Sequence, residues 1–232
     1  MLDDGWFGGR RNDRAGLGDW WVSSEVYPNG LGPLADRVRE LGMEFGIWFE
    51  PEMVNPDSDL FRAHPDWILE AVGVEQVPAR NQYTLHLTLA EVSDYLFEKM
   101  SAIVTTYQVA YIKWDMNRDI HHPGSGGRGV IHRQTEAVYA LMQRLRDAHK
   151  ALEFECCSSG GARADYGVLR YTDRIWLSDS NDALDRQKIQ RGASYFFPLA
   201  VLGSHVGPRV CHITRRTLSM EFRAATAVFG HM

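Results

Sequence analysis

The sequence predicts an α/β fold of parallel strands, of the (β/α)8 TIM-barrel kind, and three observations carry that expectation. Short apolar runs alternate with longer amphipathic ones along the whole chain, the order that successive βα units produce. The apolar runs are apolar nearly throughout, as strands buried on both faces are. Polar residues gather where these runs end: Glu50 and Glu52, Asp115 and Asn117, Cys157 to Ser159, Asp179 and Asp182, and His205. An open doubly wound sheet would alternate in the same way, but no G-x-G-x-x-G follows the first strand. Polar groups collected at strand C-termini belong to a barrel whose site is built on that face.

The elements follow in order. Residues 33–41 form a helix with Pro33 near its start and Gly42 closing it. Residues 43–51 are an apolar strand rich in aromatics. Residues 52–81 are irregular, punctuated by Pro and Asp, and 83–89 are extended or turned. Helical spacing returns over 91–107. A strand occupies 109–115, a Gly-rich loop 123–129, and a long amphipathic helix 130–150. A strand at 152–157 leads to a helix at 162–171 and a strand at 174–179. A helix over 183–197 stops at Pro198, before a strand at 200–206 and a helix at 214–229. No linker, repeat or low-complexity stretch divides the chain, so residues 1–232 read as one domain.

Composition narrows the function classes. The chain has 232 residues, 44% hydrophobic and 24% charged, with a formal net charge of −5. That balance suits a folded globular chain and not a nucleic-acid binder, whose footprint is basic. No run of 18 apolar residues is present to span a membrane. The first residues carry acids where a secretory signal needs cations. Three cysteines, two of them the adjacent Cys156 and Cys157, do not make a disulfide framework, and a reducing cytoplasm is the expected compartment.

The stretch Tyr-Ile-Lys-Trp-Asp-Met-Asn-Arg, 111–118, ends a buried strand in polar residues. Side chains alternate along a strand, so Tyr111, Lys113 and Asp115 share one face. An ammonium beside a carboxylate favours the ionised acid, which is what a carboxylate nucleophile requires; a structural ion pair is the plainer alternative. Asp179 ends another strand two βα units later. Two carboxylates across a barrel mouth are the requirement of glycoside hydrolysis, one to attack or activate water and one to protonate the leaving oxygen. Asp182 and Asp185 are rivals for the second role, but they start the following helix, where acids commonly act as caps and dipole partners, and that is the reading favoured for both.

Other residues form a polar and aromatic rim. Asp3 and Asp4 are strong acceptors for neighbouring hydroxyls, or simply an acidic chain start. Trp48 shares a face with Glu50 and stacks on a sugar ring or packs in the core. Arg80 reads equally as a ligand clamp or a surface charge. The run 156–161, Cys-Cys-Ser-Ser-Gly-Gly, offers small side chains and close backbone approach, or a plain turn. His205 and His212 have no H-x-x-x-H partner and the cysteines no C-x-x-C spacing, so no metal site is expected.

The segments DDGWFG, WFEPEMV, YIKWDMNR, CSSGGARAD and WLSDSNDALDR occur in this order in the family-36 glycoside hydrolases, the bacterial-type α-galactosidases, which the chain resembles along its length. The resemblance implies retaining hydrolysis of terminal α-linked galactose from sugars such as melibiose or raffinose, without metal or nucleotide cofactor. It implies Asp115 as the nucleophile and Asp179 as the acid/base. It implies Asp3, Asp4, Trp48, Arg80, Lys113, Asn117, Cys157 and Gly160 as sugar contacts. Compared with the family, the barrel is expected to be truncated: the first strand, most of the second and the last are missing, leaving roughly six of eight. Family members associate, so a homo-oligomer is expected. Two functions from different classes remain at this point. One is an α-galactosidase, by hydrolysis or by transfer to another sugar. The other is an inactive fragment or a non-catalytic galactoside-binding remnant.

Overall fold

The apolar runs near residues 47, 112, 154, 175 and 202 each contain a parallel strand in the computed structural model, which describes residues 1–231. The chain divides into two compact units, Met1–Glu153 and Phe154–Met232.

In the first unit, helix α1 (Gly32–Glu40) carries Pro33 in its first turn. Gly42, at φ 75°, takes the left-handed conformation that closes the helix. Strand β1 (Gly46–Phe49) is buried at every position. Leu2 pairs with Ile47 in parallel, its amide bonded to the Gly46 carbonyl at 2.8 Å, which lays the start of the chain along β1. A short antiparallel pair, β2 (Met53–Val54) with β3 (Tyr83–Thr84), encloses the irregular segment. Within it lies helix α2 (Asp59–Ala63), capped by the Ser58 hydroxyl. Helix α3 (Ala90–Tyr107) leads through Gln108, at φ 50°, into strand β4 (Tyr111–Trp114). β4 lies parallel to β1, with Gly46 opposite Tyr111 and Phe49 opposite Trp114. The hairpin β5 (Gly124–Ser125) and β6 (Arg128–Gly129) turns through Gly126 and Gly127 at φ 54° and 75°, the positive angles a two-residue turn needs. Helix α4 (Ile131–Ala148) packs on α3 and buries Val138, Leu141, Met142 and Leu145.

An aromatic cluster forms the core beside β1. Phe7 lies 4.5 Å from Trp20 and stacks on Trp48 at 6.1 Å, while Trp6 meets Phe49 edge-on at 5.2 Å. The buried Trp6 indole spends its N–H on the Trp48 carbonyl at 3.0 Å, as a buried polar edge must.

The second unit contains strands β7 (Glu153–Cys156, entering from the last residue of the first unit), β8 (Arg174–Trp176) and β9 (Leu202–Gly203). They run parallel, with Glu155 opposite Arg174 and Ile175 opposite Leu202. Helices α5 (Ala183–Ser194) and α6 (Met220–Ala227) pack together.

Several expectations are corrected. The Gly-rich loop at 123–129 is the β5–β6 hairpin. The helix expected over 162–171 is only a 3-10 turn, Val168–Arg170; the Asp165 carboxylate takes the Val168 amide at 2.7 Å, a local bond that competes with helix. The helix expected from 214 begins at Met220, because Ser219 caps it and Thr217 pairs back with Val210. The strand expected over 200–206 shortens to Leu202–Gly203, since Leu199–Val201 form a 3-10 turn.

Gly160 holds φ 89°, and a Cβ there would lie 2.9 Å from the Ser178 Cα and 3.0 Å from the Leu177 carbonyl oxygen. Backbone cannot yield as a side-chain tip does, so Gly160→Ala is expected to cost about 1–3 kcal/mol in urea unfolding. Gly9→Ala, where a new Cβ meets nothing within 4 Å, is the control and should stay within about 0.5 kcal/mol. Equal stability of the two variants would contradict this account.

Candidate functional site

The first unit gathers its polar groups where β1 and β4 end. The Asp115 amide still bonds the Phe49 carbonyl at 2.8 Å, so the residue continues the ladder by one step. Its carboxylate, 6% exposed, accepts three N–H groups. The Met116 amide reaches Oδ1 at 2.8 Å; the Trp48 indole and the Asn117 side chain reach Oδ2 at 3.1 and 2.7 Å. The two strands exchange such bonds. Trp48 of β1 serves the acid after β4, and Trp114 of β4 serves the acid after β1, donating to Glu52 Oε1 at 2.8 Å.

Trp48 therefore has a use beyond the alternatives of sugar stacking and core packing. It is 3% exposed and lies against Phe7 and Trp20, while its N–H orients Asp115. Lys113 stands opposite Trp48 across the ladder. Its ammonium lies 3.7 Å from an Asp3 carboxylate oxygen, so the paired start of the chain delivers Asp3 to the same strand ends. Asp4 is held from below: the Arg10 Nε and Nη2 bond its carboxylate at 2.9–3.1 Å, and Arg10 Nη1 reaches the Asn55 side chain at 3.2 Å. Arg10 is buried and Asp4 exposed. Arg80 sits on the 3-10 turn Ala79–Asn81 at φ 53°, exposed, its charge near Glu50.

In the second unit, Asp179 lies exposed three residues beyond Trp176, whose indole N–H donates to Asp179 Oδ1 at 3.0 Å. Arg186 of α5 lies over the Trp176 ring at 4.1 Å and donates to the carbonyls of Ser178 and Ser180, on either side of Asp179. Burial lowers the Arg186 pKa to about 10, and the Asp179 and Glu155 charges oppose that shift. Cys157 is buried directly after β7. The loop it opens packs on the segment that leads to Asp179: the Gly161 amide bonds the Leu177 carbonyl at 3.0 Å, and Gly160 makes the close approach described above. Asp182 is the cap of α5, as its position suggested, accepting the Leu184 amide at 2.9 Å. It also holds Arg216 at 2.6 Å.

Sequence reasoning singled out neither Arg10 nor Arg186 and left Glu50 as a polar strand end. Glu50 had a signal, since it shares a face with Trp48 in a strand otherwise buried. Arg186 had only its place at the end of the segment WLSDSNDALDR, and Arg10 had no signal. Among the described residues, no group of three His, Cys, Asp or Glu side chains is placed to hold a metal ion, and no helix is long and apolar enough to cross a membrane.

Parallel strands whose C-terminal ends present carboxylates fixed by N–H donors define an α/β protein with an acid-based site. The melibiase family model matches residues 1–232, and the chain belongs to that family. It is 53% identical over 232 residues to an α-galactosidase of Escherichia coli, covering 100% of this chain and 33% of that enzyme. It is 41% identical over 237 residues to α-galactosidase AgaA of Geobacillus stearothermophilus, covering 100% of this chain and 32% of AgaA. Among solved structures, the Lactobacillus brevis α-galactosidase superposes with a TM-score of 0.95 at 42% identity, over 99% of this chain and 32% of that one. A variant of family-36 AgaA in complex with raffinose gives 0.94 at 40% identity, over 99% and 33%. The chain thus spans about a third of the length of the relatives it matches.

Burial, with the Asp115 charge adding to it, raises the Glu50 pKa from 4.5 to about 7, against the pull of the Asn117 hydrogen bonds and Arg80. The unfolded chain releases this proton near 4.5 and the folded one near 7. Between those values the folded state holds the extra proton, so stability falls as pH rises and levels off above 7. Urea unfolding at pH 5 and pH 8 should differ by about 3 kcal/mol more in the parent than in Glu50→Gln. Equal pH dependence in the two would show that Glu50 titrates normally.

Proposed function

We propose that residues 1–232 belong to the catalytic (β/α)8 barrel domain of a retaining α-galactosidase and make up part of that barrel. The observation that carries the reading is the Asp115 carboxylate, held by three N–H donors at a strand end, in a chain 53% identical to an enzyme of that activity. Fixed donors orient a carboxylate, as a nucleophile must be oriented.

Asp115 attacks the anomeric carbon of a terminal α-linked galactose while the bond to the leaving oxygen breaks. Asp179 gives its proton to that oxygen. Water then attacks the galactosyl-aspartate, returning a proton to Asp179 and releasing galactose with its configuration retained. Asp3, Asp4, Lys113, Trp48, Arg80, Asn117, Cys157 and Gly160 are the proposed sugar-binding positions. Buried or fixed polar groups aimed at hydroxyls discriminate strongly between sugars, and Arg10 fixes Asp4 for that task. Raffinose, bound by one AgaA variant, and stachyose, bound by another, indicate the substrate class. The buried cysteines Cys156, Cys157 and Cys211 suit a cytoplasmic setting. Self-association into a homo-oligomer completes the proposal, with sizing chromatography as its check.

Release of nitrophenol from 4-nitrophenyl α-galactoside tests the activity. Asp115→Ala should abolish it; hydrolysis surviving in that variant refutes the nucleophile. Asp179→Ala should slow raffinose, whose leaving group is poor, about 100-fold more than the nitrophenyl substrate, because protonation matters most for poor leaving groups. Equal slowing of both refutes the acid.

A further inference from the structure

Beside the Asp115 carboxylate lies a second one that the proposed reaction does not use. Glu50 follows β1 directly and is 1% exposed. Its Oε1 accepts the Asn117 backbone N–H at 2.5 Å, and its Oε2 accepts the Gln82 side-chain N–H at 3.2 Å. Asn117 in turn gives its side-chain N–H to Asp115 Oδ2 at 2.7 Å. One residue is thus tied by its main chain to Glu50 and by its side chain to Asp115.

The segment after β4 has no helix or strand of its own to order it. It is held instead by hydrogen bonds to other segments, Glu50 taking the Asn117 amide and the Arg118 side chain reaching out to carbonyls elsewhere. The next residue, Arg118, is fastened to the carbonyls of Gln82 and Val77, so Gln82 supports both Glu50 and Arg118. A buried carboxylate is costly unless it is satisfied, and an apolar residue after β1 would fill the space without that cost. What an apolar residue cannot supply is an acceptor for the Asn117 N–H. The groups facing Glu50 are Asp115, the Asn117 amide, the Gln82 amide and the Arg80 charge.

We propose that Glu50 is a positioning residue for the Asp115 nucleophile, locking the Asn117 backbone so that the Asn117 side chain holds Asp115 ready to attack. The inference rests on the assignment of Asp115 above. A misaligned nucleophile loses rate rather than substrate affinity, so Glu50→Ala should lower kcat about 100-fold with little change in KM. Glu50→Gln keeps an oxygen for Asn117 and should restore much of that loss. It should also flatten whichever limb of the pH–rate profile Glu50 contributes near pH 7. Adding Glu50→Ala to Asn117→Ala should cost little further, because both remove the same tether.

Amide NMR supplies a readout that needs no activity. The Asn117 backbone and side-chain N–H signals of the parent should move with pH around 7 and stay still in Glu50→Gln; both should shift in Glu50→Ala. If Glu50→Ala is too unstable to study, Glu50→Gln alone decides, through the pH profile and the amide titration. A parent chain with no hydrolysis shows that this part of the barrel is not active by itself, and the amide signals then judge the positioning role. Asn117 signals indifferent to both substitutions, or kcat and KM unchanged in an active Glu50→Ala, overturn the positioning role.

Discussion

Burying carboxyl groups at the ends of parallel strands is the constraint around which the first unit is arranged. Asp115, Glu50 and Glu52 are 6%, 1% and 2% exposed, and each would be prohibitively costly without hydrogen-bond donors. Each draws at least one donor from the opposite strand or from the segment that follows it. Trp48 and Trp114 extend indole N–H groups across the ladder, and Asn117 bonds Glu50 with its backbone and Asp115 with its side chain. Because each acid depends on the neighbouring strand, the register of β1 against β4 and the chemistry at their ends are one arrangement. A slip of one residue would remove both indole bonds.

The aromatic cluster serves the same end. Trp48 orients Asp115 only if its ring is immobile, and Phe7 and Trp20 pack around it. Trp6 binds the Trp48 carbonyl, which ties the segment carrying Asp3 and Asp4 to the strand carrying Trp48. The seven Trp of the chain are thus only partly a hydrophobic matter. At least four donate an indole N–H to a carbonyl or carboxylate that shapes a strand end, Trp6, Trp48, Trp114 and Trp176.

The second unit solves a related problem with different parts. Asp179 is exposed, and what the structure supplies is a fixed backbone on either side of it. Arg186 fixes it from α5 by bonding the carbonyls on both sides, its guanidinium stacked on the Trp176 ring. The cap at Asp182 sets where α5 starts and therefore where Arg186 stands.

Much of this was legible in the sequence. The alternation of apolar and amphipathic runs located the parallel strands, because buried strands need continuous apolar residues. Asp115, Lys113 and Asn117 stood out as polar residues closing such a run. Asp182 was readable as a cap, since capping is local. Non-local matters were not readable. Arg10 holds Asp4 from six residues away, but only the folded loop brings Asn55, 45 residues off, to its other nitrogen. Residues 162–171 have helical composition, yet the Asp165 side chain and the close packing of Gly160 on Leu177 and Ser178 keep that stretch turned. The sequence by itself determined which residues carry the acids and which strands present them. Only the tertiary structure decided which N–H groups hold each carboxylate, because those donors sit up to 67 residues away and their geometry exists only once the strands are paired.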